Sequence, residues 1–429
     1  MSTNLRKSTL GERTQGVYSN LETQSPQDRK DRKWGELKKL MDSAWRDSME
    51  FKGRMERAGL SPADVHSLEQ WPEIPVLRKK ELIGLQATGA KISGLLTCDI
   101  GDLQRIYQSP GPIFDPEGRG EDYWGWTEGF YAAGFRKKDV VQMTFSYHLT
   151  PAGLMLEEPL RGLGCAVIPA GPGNTEAQIA LMTELPVTGF VGMASYLRVI
   201  ADKASASGLD LKKDFHLRVA FVAAERLSES LRRGLERDFG MLVRQGYGTA
   251  DLGCVAYECP RLGGMHTASR CYVEICDPQT GRPLPVGETG EVVVTPFTHA
   301  YPLIRFATGD LSYFVDQKCR CGRTSLKLGG IVGRVDDTAK VKGQFIYPGQ
   351  AAGVMAEFPG VSRWQIVVEN PKGKDALFLK VQLDGDFDPK KCEALFQKRL
   401  KLRPSIEILP KGEALPENAP LLLDNRRFD

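Results

Sequence analysis

Between residues 121 and 250 short apolar runs alternate with segments of helix length, and this alternation restricts the fold more than any other feature of the chain. A helical stretch at 121–135 precedes Val140–Phe145, and one at 151–162 leads to Cys165–Pro169. A helix at 175–185, capped by Asn174 or Thr175, leads to Thr188–Val191. Helix 195–206 leads to Leu217–Ala223, and helix 229–238, capped by Ser228, leads to Leu242–Tyr247. Short apolar strands separated by helices of roughly 10–15 residues specify a parallel sheet covered by helices. The expected class is α/β: a large helix-covered, mostly parallel sheet domain, a β-rich subdomain and a small C-terminal α+β domain.

The texture changes on either side. Residues 1–33 are polar, with few apolar anchors, and read as a mobile arm or a surface strap. Trp34, Leu37, Leu40, Met41, Ala44, Trp45 and Met49 share one helical face, so a helix is expected over 34–58, stopping at Gly59. After 250 the strand candidates are Tyr272–Cys276, Glu291–Pro296 and Ser325–Val335, separated by turn clusters. Beyond 336 a compact unit follows: strand 339–342, helix 348–357, strands 363–369 and 376–384, helix 388–400, strand 405–409. The expected division is an N-terminal arm at 1–33, a large domain at 34–335 containing a β-rich region at 254–330, and a small domain at 336–429.

Composition excludes several partners. Lys and Arg number 57 and Asp and Glu 54, so the net charge of +3 supplies no field for nucleic acid or an anionic membrane. No apolar run approaches the ~18 residues that span a bilayer. The N-terminus lacks an apolar signal core, and a cytoplasmic location is the default expectation. The nine cysteines are an odd count, which argues against a disulfide framework. Six lie between 254 and 321. Among them Cys259, Cys319 and Cys321, with His266, supply three thiols and an imidazole, the donor set of a closed structural zinc site. The alternative is a set of ordinary buried thiols.

Three segments carry chemistry. Gly246-Tyr247-Gly248-Thr249-Ala250-Asp251 follows a parallel strand, where open α/β sheets bind ligands. It offers close backbone approach, an aromatic ring, a hydroxyl and an acid for Mg2+. Tyr301-Pro302-Leu303-Ile304-Arg305-Phe306-Ala307-Thr308-Gly309-Asp310 ends in an acid placed to accept from vicinal hydroxyls. Gly333-Arg334-Val335-Asp336-Asp337, followed by Lys342-Gly343, sits at the domain boundary.

In this order and spacing, with Trp71–Lys79, Val167-Ile168-Pro169 and Ala223-Ala224-Glu225, these segments resemble the phenylacetate–CoA ligase branch of the adenylate-forming acyl-CoA synthetases. The resemblance covers about 34–428. It implies ATP-dependent activation of a carboxylic acid through an acyl-adenylate to a CoA thioester, with an aryl or small acyl substrate. The partners are the acid, ATP/AMP, Mg2+ and CoA, and the small domain rotates between half-reactions. Carried over by position, Asp251, Thr249, Lys342 and Arg334 are the catalytic candidates. Ala224, Glu225, Arg226, Tyr247, Gly248, Asp310, Ser109 and Gly111 bind nucleotide, and Asp336 is the hinge. Tyr147, Ala194, Tyr196 and Gly246 line the acyl pocket. Some members of the branch carry a structural zinc, and Cys259, His266, Cys319 and Cys321 are similar to its ligands. A homodimer is left open.

The sequence also departs from the family pattern. Where a Ser/Thr/Gly-rich phosphate loop with a Lys is expected, residues 107–114 read Tyr-Gln-Ser-Pro-Gly-Pro-Ile-Phe, and the two prolines remove amide donors. Ala250 replaces a serine, and Asp251 is shorter than the family's glutamate. The C-terminal catalytic lysine is missing from Asn418–Asp424, with Lys411 out of register. A second reading follows: a relative that binds nucleotide, acyl-AMP or CoA without efficient adenylation.

Overall fold

A computed structural model of the chain describes residues 10–109, 113–335, 339–341, 344–346, 348–370, 376–410, 412–416 and 418–426. The chain forms two compact units: Met1–Thr308 with Tyr313–Gly330, and Gly309–Ser312 with Ile331–Asp429. The large unit ends at Gly330 rather than at 335, and residues 309–312 belong with the smaller one.

The alternating region of the first unit builds a nine-stranded sheet. Its parallel part runs in the order Leu242–Thr249, Val219–Val222, Gly189–Gly192, Val140–Met143 and Ala166–Pro169. Helices Ala152–Gly162, Thr175–Glu184, Ala194–Ala206 and Glu229–Phe239 connect these strands, each within two residues of its expected span. Ser228 accepts from the Leu231 amide to start the last helix, and Gly240, at φ 69°, ends it. Phe190, Leu197, Ile200, Ala220, Leu235 and Val243 fill one core beneath the sheet. Antiparallel Gly253–Glu258, Met265–Thr267, Lys327–Leu328 and Phe314–Val315 extend the sheet beyond Leu242–Thr249. A smaller sheet holds Cys271–Cys276, Gly290–Pro296, Phe306–Ser312 and Leu77–Arg78. The strand expected over Ser325–Val335 is two short ones, Lys327–Leu328 and Gly333–Arg334. Gly330, at φ 113°, lies between them in a conformation no strand adopts.

Residues 10–33 are an anchored strap. Arg13 grips Asp139 with two hydrogen bonds of 2.8 Å, both side chains buried. Buried Glu22 accepts from the Tyr257 hydroxyl at 3.0 Å and pairs with the Arg323 guanidinium. Ser25 caps a helix with proline in its first turn, so that helix runs Pro26–Asp47 and begins ahead of 34. Ser48 ends it and caps the next, Met49–Arg57, dividing the single helix expected from periodicity.

The second unit has a four-stranded sheet in the order Ser405–Ile408, Ala376–Leu383, Val361–Glu369, Leu422–Asp424. Helices Pro348–Met355 and Pro389–Leu400 contribute Val354, Met355 and Phe396 to a core with Ile366, Leu379 and Val381. The C-terminal strand Leu422–Asp424 was not anticipated; it pairs in parallel with Val361–Glu369.

Candidate active site

The carboxyl end of strand Leu242–Thr249 carries the first motif, and packing explains its glycines. A Cβ on Gly246 would lie 2.4 Å from Phe221 Cζ, and one on Gly248 would lie 2.2 Å from the Gly253 carbonyl. Trp126 closes over both, 2.7 and 2.6 Å from those Cβ positions. Gly246, expected in the acyl pocket, is thus a close contact for aromatic rings. Between them Tyr247 is buried, and its hydroxyl donates to Thr308 Oγ1 at 3.3 Å, tying the first motif to the second. Thr249 Oγ1 accepts from the Leu252 amide at 3.3 Å and closes the turn.

In that turn Asp251 is buried, with 4 % exposure. Its Oδ2 accepts from Lys79 Nζ at 2.7 Å, while Oδ1 is buried with no hydrogen-bond partner among the described residues. Sequence reasoning gave Lys79 no role. It stands in the early Pro-to-Lys segment quoted for the resemblance, 172 positions from its partner, so nothing local marked the pair. Tyr301 shares this region: burial, then Asp251 and Asp115, push its hydroxyl far up, and Gln86 donates to it at 3.2 Å.

At the end of strand Val219–Val222, Ala224 has φ 69°, a left-handed conformation that costs a non-glycine residue. Glu225 accepts from the Ser195 amide at 2.6 Å and its hydroxyl at 2.8 Å, capping helix Ala194–Ala206. Arg226 is exposed. Of the acyl-pocket candidates, Tyr196 donates to the Gly173 carbonyl at 2.7 Å, and Tyr147 is half-buried, its hydroxyl pushed up by burial and by Glu157. Ala194 is wholly buried in the core, so its methyl offers no surface to a ligand.

Ser109 ends strand Arg105–Ser109, which pairs with Ile113–Glu117. The phosphate-loop equivalent at 107–114 is flanked by these two paired strands, and its residues 110–112 lie outside the described residues. Gly111 lies outside the described residues, as do Asp336, Lys342 and Lys411. In the second unit Asp310 pairs across the ladder with Arg334, and Arg334 Nη1 donates to its carboxylate at 2.7 Å. Gly309, at φ 78°, precedes Asp310 in the same strand, and a Cβ there would lie 3.0 Å from Arg334 Nη2.

Cys259, His266, Cys319 and Cys321 meet, their ligand atoms all within 4.8 Å of one another. Cys259 and Cys319 sulfurs are 3.5 Å apart, and Cys321 Sγ is 3.4 Å from His266 Nε2. Tetrahedral zinc with Zn–S of about 2.3 Å sets S···S near 3.7 Å. His266 Nδ1 faces the Ser325 carbonyl at 3.3 Å, which places the Nδ1 proton there and leaves the Nε2 lone pair for the cluster. Cys259, then His266 and the Arg323 amide, hold Cys321 well below the usual thiol range, while Cys259 is pushed up.

A family model described as AMP-binding enzyme matches residues 124–296. Phenylacetate-coenzyme A ligase of Thermus thermophilus is 29 % identical, over 82 % of this chain and 80 % of the relative. Its Pseudomonas putida namesake is 30 % identical, over 70 % and 69 %. This chain belongs to the phenylacetate–CoA ligase family. The fold of the family member agrees with an open conformation of 2-hydroxyisobutyryl-CoA ligase bound to 2-HIB-AMP and CoA. The TM-score is 0.86 at 22 % identity, covering 94 % of this chain and 93 % of that one. Like other phenylacetate–CoA ligase family members, it is an AMP-forming acid–thiol ligase. No helix among the described residues is long and apolar enough to cross a membrane.

Proposed function

We propose that this chain activates an aryl or small carboxylic acid with ATP and passes the acyl group to CoA. The observation that carries the reading is the Asp251 turn, where Lys79 holds Oδ2 at 2.7 Å and the buried Oδ1 has no hydrogen-bond partner among the described residues. Tyr247 and the Ala224–Arg226 turn are assigned to adenine, Asp310 to the ribose hydroxyls and Arg334 to the nucleotide. Thr249 supplies the hydroxyl that Ala250 lacks. Lys342, Asp336, Ser109 and Gly111 keep the roles carried over by position. Tyr147 and Tyr196 border the acyl group.

Asp251 fits a Mg2+ ligand through the buried Oδ1 that no hydrogen bond satisfies. The ion would neutralise phosphate charge. Lys79, held on the other oxygen, adds a cation to a site whose phosphate-loop and C-terminal segments, 107–114 and 418–424, carry no lysine in sequence. We assign zinc to Cys259, His266, Cys319 and Cys321; four protein ligands leave no open position, so its role is structural.

The test is thioester formation from ATP, CoA and a panel of aryl and short acyl acids, with AMP measured alongside. The reading expects matched AMP and thioester with at least one acid. An Asp251→Asn variant should lose about 100-fold or more of kcat. No thioester with any acid, together with stabilisation by AMP, selects the binding-only reading that the altered phosphate loop favours.

A further inference from the structure

The first unit contains a cavity of about 410 Å3 that the ligase reading does not use. It lies between the start of helix Pro26–Asp47 and strand Cys271–Cys276, and its volume falls in the range of roughly 300–1,000 Å3 typical of small-molecule sites. Its walls are apolar over Val273, Ile275, Leu284 and Phe314. One edge is basic: Arg29, Lys30 and Lys33 face it from successive turns of the helix.

The charges there do not cancel. Lys30 is paired with Glu69 at 2.6 Å. Glu274, the acid of the lining, is held by Arg305 at 3.1 Å through both oxygens. Among the described residues Arg29 donates only to neutral groups, the Thr324 carbonyl at 2.9 Å and hydroxyl and the Gln24 carbonyl at 3.2 Å. Lys33 has no carboxylate at ion-pair distance among the described residues; its ammonium stands 5.7 Å over the Tyr272 ring. Burial pushes the Lys33 amine down to about 8, with Arg32 and Arg29 adding to that shift and Cys271 and Glu128 opposing it. Burial also lowers Arg29. Arg29 and Lys33, one turn apart at the mouth of an apolar cavity and without a carboxylate at ion-pair distance among the described residues, present two cations on the same face.

We propose that this cavity binds a free amphiphilic carboxylate, its head on Lys33 and Arg29 and its alkyl chain along Val273, Ile275, Leu284 and Phe314. A carboxylate accepts from both cations at once, and the apolar walls require a body that a bare anion does not have. The site is separate from the Asp251 turn and stands without the ligase reading.

The test is photolabelling of the full-length chain, without ATP, by a diazirine-bearing octanoate analogue, with the label mapped to peptides. Label is expected in peptides covering 26–33, 272–284 or 314–326. Unlabelled octanoate should protect them at least about tenfold better than octanol, acetate or inorganic phosphate. Lys33→Met should reduce the label about tenfold without lowering Tm, since it removes a half-buried cation that no carboxylate pairs and keeps the aliphatic stem. Equal protection by octanol, equal protection by phosphate, or label confined to 147–196 overturns the proposal. Unchanged labelling of a folded Lys33→Met variant overturns it too.

Discussion

At the residue scale, Asp251 and Gly248 show two kinds of constraint in one turn. Gly248 is fixed by space: a methyl there meets the Gly253 carbonyl and Trp126. Gly248→Ala is expected to destabilise the fold by about 2–4 kcal/mol, read as a drop in denaturation midpoint. Asp251 is fixed by charge, through Lys79. Lys33 has the opposite status, a half-buried cation with no carboxylate at ion-pair distance among the described residues. Its folded pKa lies below the unfolded one, so between about pH 8 and 10.5 the unfolded chain binds more protons than the native one. Its contribution to stability therefore rises with pH through that window. Lys33→Met should be more stable than the parent at pH 7 by roughly 1–2 kcal/mol, with the gap closing towards pH 10.5. Equal stability of the two proteins at pH 7 would contradict this. Asp251 was legible because a glycine-rich turn after a parallel strand announces a ligand site. Lys79 was not, because the pair is made by tertiary approach of segments 172 residues apart. At Gly246, which the sequence places at the acyl pocket, Phe221 and Trp126 leave no room for a Cβ.

Among the elements, the N-terminal strap differs most from expectation. Its polar composition concealed a few buried, fully paired ionic residues. Arg13 on Asp139 and Glu22 on Arg323 hold the strap to distant parts of the first unit. Breaking a buried pair leaves the partner charged and alone, so Arg13→Ala should cost about 3–5 kcal/mol. Chemical denaturation checks it, and a loss under about 1 kcal/mol would mark the pair as peripheral. The alternating region was legible nearly element by element because each helix and strand repeats its own apolar period. The divided helix at Ser48 and the two short strands around Gly330 were missed: a serine cap and a positive-φ glycine interrupt the backbone without interrupting the apolar pattern.

On the scale of the whole molecule, two units carry one family's motifs while parts of the expected adenylation equipment are replaced. The cysteine cluster should bring one zinc per chain to the purified protein. Cys319→Ser should lower both zinc content by elemental analysis and Tm; unchanged zinc with unchanged Tm would return these residues to ordinary thiols. The C-terminal stretch that lacks the family's lysine is occupied by strand Leu422–Asp424, part of the small unit's sheet. Lys79 on Asp251 is the cation proposed for adenylation alongside Lys342 and Arg334. The most direct measurement is acid-dependent exchange of labelled pyrophosphate into ATP, before CoA is added. The account predicts exchange stimulated by an aryl or short acyl acid, and a loss of about tenfold or more in Lys79→Met, which removes a charge-assisted contact at the site. Exchange absent with every acid, in a protein that AMP still stabilises, would contradict it.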